Sequence, residues 1–210
     1  MSRLILASAS PRRKELLKQV GLDFTTIPSK IEERMREGED FRQYPLRISL
    51  EKALSVIEGL PRANGCWVIA ADTIVVIDSE ILGKPKDPED ARSMLEKLSD
   101  REHLVITGFS VVNAKSKDYT QRSVESRVKL KKLAPDEIEG YLKTREPFDK
   151  AGGYAVQGIG SFMVERVNGS YTNVVGLPMS ELIQVLREMR AVDLFEKYLS
   201  GAPPPAGSND

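Results

Sequence analysis

Val68-Ile69-Ala70-Ala71-Asp72-Thr73-Ile74-Val75-Val76-Ile77 is the stretch on which the fold turns. It is apolar nearly throughout, and a run of this kind reads as a strand buried on both faces near the middle of a sheet. One residue resists that reading. A lone carboxylate at Asp72 costs several kcal/mol to bury unless it is paired or bound to a metal. Asp72 is either a structural aspartate bonded to a neighbouring loop or a group placed there for chemistry.

Outward from this strand, helical and extended segments interleave. Towards the N-terminus, Leu4 to Leu6 reads as a short buried strand, with a helix opening at Pro11 behind the N-cap residue Ser10. Phe24 to Ile27 reads as a second strand, Ser29 to Arg34 as a charged loop, and Phe41 to Leu60 as a helix ending at Gly59 and Pro61. Towards the C-terminus, Asp78-Ser79-Glu80 turns into Ile81-Leu82, and Pro88 to Leu98 is a helix capped by Asp87. Two long β segments follow, Glu102 to Asn113 and Tyr119 to Leu133, joined by a polar turn. A helix over Pro135 to Lys143, a strand over Ser161 to Glu165 and a helix over Ser180 to Met189 complete the pattern. The expected fold is α/β, a mixed twisted sheet flanked by helices, in a single domain over residues 1–198. The last residues, GAPPPAGSND, read as a disordered tail spanning 199–210.

The first helix begins against an electrostatic rule. Arg12, Arg13 and Lys14 crowd its first turn, where the helix dipole favours acids and a cation costs a few tenths of a kcal/mol. An anion at that helix end reverses the balance. Attraction between close charges at an effective dielectric near 20 is roughly 4 kcal/mol per pair, and the helix end adds free N–H groups.

Composition narrows the partners. Lys plus Arg number 31 and Asp plus Glu also 31, and a formal charge of zero argues against a nucleic-acid binder. Cys66 is the single cysteine, which excludes an internal disulfide framework and suggests a reducing cytoplasm; its apolar setting reads as a buried structural thiol. His103 is the single histidine, so a multi-histidine zinc site is excluded. No apolar stretch approaches the ~20 residues of a membrane span, and Leu4 to Ala7 is too short for a signal-peptide core.

Further candidates lie apart in sequence. Glu32 and Glu33 fall in the charged loop, where most acids are merely solvated. Paired with Asp72, one of them can hold Mg²⁺, which prefers a few carboxylates plus waters and phosphates. Lys52 sits on the long helix, where a lysine is ordinarily solvated. Lys84 lies in Leu82-Gly83-Lys84-Pro85, a loop stiffened by its neighbours. The segment from Glu146 to Gly160 is glycine-rich but fits neither the P-loop nor the dinucleotide fingerprint. Within it, Gln157 carries an amide able to read a base edge.

Taken together, these motifs resemble the Maf family of nucleoside triphosphate pyrophosphatases. The matching stretches are Leu6-Ala7-Ser8-Ala9-Ser10-Pro11-Arg12-Arg13, Glu51-Lys52-Ala53, Ala71-Asp72-Thr73-Ile74-Val75, Leu82-Gly83-Lys84-Pro85, Thr107-Gly108, Asp149 to Tyr154 and Val175-Gly176-Leu177-Pro178, in family order. The resemblance implies a Maf/ITPase-like fold with two lobes around a cleft, often paired as a homodimer. It also implies splitting of a nucleoside triphosphate into monophosphate and pyrophosphate with a divalent metal cation, Mg²⁺ or Mn²⁺. Asp72 then looks like the catalytic carboxylate. Ser8, Arg12, Arg13, Lys52 and Lys84 look like the triphosphate cradle, with Glu33 beside Asp72 on the metal. Thr73 and Ala155-Val156-Gln157-Gly158 look like the branch acting on dTTP and UTP rather than the sister branch acting on 7-methyl-GTP. A non-catalytic nucleotide-binding regulator of cell division is the remaining alternative.

Overall fold

A computed structural model of the chain describes residues 3–61, 65–192 and 194–195. The stretch around Asp72 forms the strand β3, Cys66–Ile77, and its neighbours explain its composition. β1 (Arg3–Leu6), β2 (Phe24–Thr26), β4 (Glu80–Leu82), β5 (Glu102–Asn113), β6 (Tyr119–Leu130) and β7 (Val164–Asn168) join it in one sheet of order β2-β1-β3-β5-β6-β7, with β4 also on β3. β1 runs parallel to β2 and β3, and the remaining pairs are antiparallel. The sheet is mixed, as expected.

β3 is covered by helices on both faces and pairs along one whole edge with β5. Its other edge is shared. β1 covers it up to Ile69 and β4 takes over only at Val75. Among the described residues no strand pairs with Ala70–Ile74 on that side, and Asp72 lies in the middle of this gap. The chain leaving β1 and the chain leaving β4 therefore diverge around an open stretch of a buried strand, which is how a sheet makes a cleft.

Six α-helices flank the sheet among the described residues: α1 (Pro11–Gln19), α2 (Tyr44–Glu58), α3 (Pro88–Leu98), α4 (Pro135–Lys143), α5 (Tyr171–Val175) and α6 (Met179–Glu188). The apolar residues gather at both ends of β3. Ile69 and Ala71 pack with Leu17, Phe109 and Leu182 near β1, whereas Val75 and Ile77 pack with Leu95, Leu98 and Val128 near β4. Opposite side chains of the same strand, Val68 and Ala70, pack with Ala53 and Val56 of α2. Cys66 is buried at the start of β3, as expected.

Three expectations shift, one being β6, which ends at Leu130 rather than Leu133. α2 starts at Tyr44 rather than Phe41, with Pro45 in its first turn. The strand expected over Ser161 to Glu165 begins only at Val164, because Ile159–Met163 forms a 3-10 turn. There the Ser161 hydroxyl and amide both donate to the Gly158 carbonyl, at 2.7 and 3.3 Å, and curl the chain before Val164 and Val167 can pair with β6. The expected tail over 199–210 lies outside the described residues.

Candidate active site

Strand alternation sends neighbouring side chains to opposite faces, and around the gap in β3 this creates two different environments. Asp72 faces α2. There Lys52, buried on the helix, donates to Asp72 Oδ1 at 2.7 Å and pairs with Glu33 Oε1 at 2.9 Å. Lys52 is 7% exposed and Asp72 6%, so the lysine is no solvated helix residue but the counter-charge of a buried acid.

Close approach of α2 is what brings Lys52 within reach. Gly108 of β5 sits directly opposite Asp72 in the register. A Cβ there would stand 2.5 Å from the Pro45 carbonyl carbon and 2.6 Å from the Leu46 nitrogen. Any side chain at Gly108 would push the helix N-terminus off the sheet.

Burial raises Asp72 above the usual aspartate range, and this outweighs the opposing pull of Lys52; the Glu33 charge adds to the rise. Glu33 moves the other way. Burial works against its ionised form, but the Lys52 charge and hydrogen bond, with a further hydrogen bond to Asp72, hold it below the ordinary value. Two carboxylates meeting on one ammonium group fit a hard divalent ion that keeps waters and takes other oxygens from a phosphate. Among the described residues no group of three or more acidic, histidine or cysteine side chains is placed to hold a metal without such help.

Thr73 faces the other way, towards α1 and α5. The Arg13 guanidinium commits three of its five N–H donors there. Its Nε donates to the Gly176 carbonyl at 2.7 Å, Nη1 to Ser8 Oγ at 3.3 Å and Nη2 to Thr73 Oγ1 at 3.0 Å. Thr73 Oγ1 lies 2.9 Å from Thr107 Oγ1, which donates to the Asn173 carbonyl at 3.0 Å. With one hydrogen per hydroxyl, Thr73 can donate to Thr107, completing a chain from Arg13 to the Asn173 carbonyl, or to the Gly176 carbonyl at 3.4 Å. Burial works against the Arg13 charge, with Asp72 and Glu33 opposing that effect.

Arg12 is held much more loosely. Its Nη1 lies 3.6 Å from Asp149 Oδ2, whose side chain is 61% exposed. Lys84 is exposed at the rim, and Gln157 is half-buried. Ser8, Arg12, Arg13, Glu33, Lys52, Asp72, Thr73, Lys84 and Gln157 all line one cavity of about 740 Å³. Glu32, the other acid of the charged loop, does not line it and pairs instead with Arg34.

Four further contributors were given no role by the sequence reading. Tyr44 lines the same cavity, and burial followed by the Asp72 and Glu33 charges pushes its hydroxyl up to about 12. Arg47 fastens the loop that bears Glu33, donating to Glu39 at 2.5 and 2.6 Å, to Glu51 at 3.1 Å and to the Arg34 carbonyl at 2.9 Å. Asp149 and Lys150 occupy the wall beside Arg12. In the sequence Tyr44 and Arg47 are ordinary residues that only their tertiary partners single out, whereas Asp149 and Lys150 fall in one of the matching stretches without a role attached.

A mixed sheet whose split edge opens into a cationic cleft around a buried acid has the charge and shape to take a phosphate chain. The chain belongs to the Maf family, whose model, described as Maf-like protein, matches residues 3–189. A dTTP/UTP pyrophosphatase of Syntrophus aciditrophicus (strain SB) is 46% identical over 99% of this chain and 97% of the relative. Another, from Clostridioides difficile (strain 630), is 47% identical over 91% of this chain and 97% of its own length. A third, from Syntrophotalea carbinolica, is 47% identical over 92% and 88% respectively. The solved structure of the Staphylococcus aureus Ham1 protein aligns over 95% of this chain and 98% of its own at 16% identity and a TM-score of 0.45, a distant likeness.

Proposed function

We propose that the chain hydrolyses dTTP and UTP between the α- and β-phosphates, releasing the nucleoside monophosphate and pyrophosphate. One observation carries the reading: Asp72, made more basic by burial, stands on the same cavity wall as Arg12, Arg13 and Lys84. Relatives that this chain matches nearly end to end bear the name dTTP/UTP pyrophosphatase.

Water attacks the α-phosphorus and gives its proton to the Asp72 carboxylate. The bond from the α-phosphorus to the bridging oxygen breaks, and pyrophosphate leaves with the electron pair. Lys52 spends two of its three N–H groups on Glu33 and Asp72, and the third is free to meet a phosphate oxygen. Arg12 exchanges its loose contact with Asp149 for the phosphates, and Lys84 adds a point charge from the rim. Arg13 serves differently. Three of its five N–H donors are held by Ser8, Thr73 and Gly176, so it contributes positive charge from a fixed position and keeps two N–H groups for a phosphate. Glu33 and Asp72 would hold Mg²⁺ or Mn²⁺, which when bound neutralises phosphate charge and makes water a better nucleophile. Uracil and thymine present a carbonyl acceptor beside an N–H donor, and the Gln157 amide carries the complementary pair.

Residence in the cytoplasm, pairing into a homodimer and a single catalytic domain over 1–198 belong to the same reading. Among the described residues no helix is long and apolar enough to cross a membrane.

The test is a panel of dTTP, UTP, CTP, their 5-methyl forms and 7-methyl-GTP with Mg²⁺ or Mn²⁺, read by pyrophosphate release. The expected result is pyrophosphate with dTMP or UMP, fastest for dTTP and UTP. Release of single phosphates, or a preference for 7-methyl-GTP, would overturn it.

A further inference from the structure

Gln157 stands on a stretch, Tyr154 to Gly158, that belongs to no helix or strand. Its own amide has no hydrogen-bond partner among the described residues. A side chain that reads a base from such a loop needs its backbone fixed, and the fixing group is visible. Glu146 Oε2 accepts from the Ile159 amide at 3.1 Å, and Oε1 accepts from the Gly160 amide at 3.0 Å. The Tyr141 hydroxyl of α4 donates to the same Oε1 at 3.0 Å.

The carboxylate is seated against bare backbone. Gly158 has φ +71° and ψ −151°, a conformation essentially restricted to glycine, and a Cβ there would stand 2.9 Å from Glu146 Oε2. A Cβ on Gly160 would stand 2.6 Å from the Tyr141 hydroxyl and 2.8 Å from the Ala155 carbonyl. Glu146 also reaches the cavity through its backbone. Lys150, on the cavity wall, donates to the Glu146 carbonyl at 2.6 Å and to Asp149 at the same distance. Burial works against ionisation of Glu146, but the Gly160 and Ile159 amides and Tyr141 hold it below the ordinary glutamate value. It is a full acceptor at neutral pH.

We propose that Glu146 is a positioning residue for base selection: its carboxylate fixes the loop that presents Gln157 to the pyrimidine. The inference rests on the reading of Gln157 as the base-recognising residue. It adds that substrate preference is set partly by a carboxylate that never touches the nucleotide.

Glu146→Gln keeps the shape but turns an N–H group towards the backbone amides, so at least one hydrogen bond is lost. The assay compares Glu146→Gln, Gln157→Ala and the double variant on UTP and on a purine triphosphate, with thermal melting as a folding check. Glu146→Gln should raise KM for UTP roughly tenfold, about the effect of one lost hydrogen bond. It should lower the preference for UTP over GTP by a similar factor while kcat stays within about twofold. The double variant should be no worse than Gln157→Ala alone, because both changes remove one function.

A Glu146→Gln loss that is equal for all triphosphates, or that multiplies with the Gln157→Ala loss, would make Glu146 a plain structural anchor and overturn the proposal. If Gln157→Ala leaves base preference untouched, base reading by Gln157 itself fails, a separate and recognisable result. Should Glu146→Gln not fold, Tyr141→Phe removes one bond to the same carboxylate and carries the test. A preference loss of roughly threefold is expected from it, and no loss would overturn the proposal.

Discussion

Asp72 and Thr73 are adjacent in the chain, line the same cavity and face opposite worlds. Asp72 lies opposite Gly108 and beneath α2, in a dry setting where charge meets charge through Lys52 and Glu33. Thr73 lies opposite Thr107, in a relay of hydroxyls and carbonyls that immobilises Arg13. One face perturbs an acid, and the other fixes a cation. The difference teaches that a single strand with an uncovered edge can supply both the reacting group and the frame for the anion, because alternation separates them by one residue.

The largest effect should come from breaking the charged face. Asp72→Asn keeps the volume and removes the base, and loss of a general base costs roughly 10²–10⁴-fold in rate. Pyrophosphate release should fall by about a thousandfold while nucleotide binding, measured calorimetrically, persists. The wild-type pH profile sharpens the point. Asp72 must be ionised to accept a proton, and burial raises its pKa. The rate should therefore fall as pH drops through a value above the usual aspartate range, and the residual activity of Asp72→Asn should lack that limb. A wild-type limb in the ordinary carboxylate range would mean that the site is wet.

Next in size is Lys52→Met, which keeps the stem and deletes the ammonium group. Removing one partner of a buried pair typically costs about 3–5 kcal/mol, since the remaining charge is left uncompensated. Urea unfolding at pH 7 should show a loss of that order, and any remaining activity should have its acid limb moved to higher pH. A loss below about 1 kcal/mol would show that solvent, not Lys52, balances the two carboxylates.

Much of this face was legible in the sequence and some was not, for reasons of physics. An acid inside an apolar strand is anomalous at once, because burial of charge is costly whatever the fold. Cations at a helix N-terminus are anomalous for a similar reason. The helices Pro88–Leu98 and Pro135–Lys143 fall on their expected bounds because proline and acidic first turns mark their starts. Lys52 gives no such signal. A lysine is unremarkable on a helix until the partner strand is known, and its burial depends on Gly108, 56 positions further along. The Glu146 carboxylate is likewise silent, since its partners are backbone amides that exist only once the loop has closed. The curl at Ser161 defeated the pattern because a side-chain hydroxyl competed with the strand ladder.

The smallest effect, and the most discriminating, belongs to the hydroxyl face. Thr73→Val is nearly isosteric and deletes only the oxygen between Arg13 Nη2 and Thr107 Oγ1. Thr107 still donates to the Asn173 carbonyl and Arg13 keeps Ser8 and Gly176, so the frame loosens rather than collapses. One broken link with a half-buried donor left unpaired costs about 1–2 kcal/mol. Stability should drop by that amount and kcat/KM for UTP by several-fold, the greater part of it in KM. The pH limb set by Asp72 should stay where it is, because the relay lies on the opposite side of the strand. If Thr73→Val instead moves that limb or abolishes turnover as Asp72→Asn does, the two faces act as one unit and the division of labour between neighbouring residues is wrong.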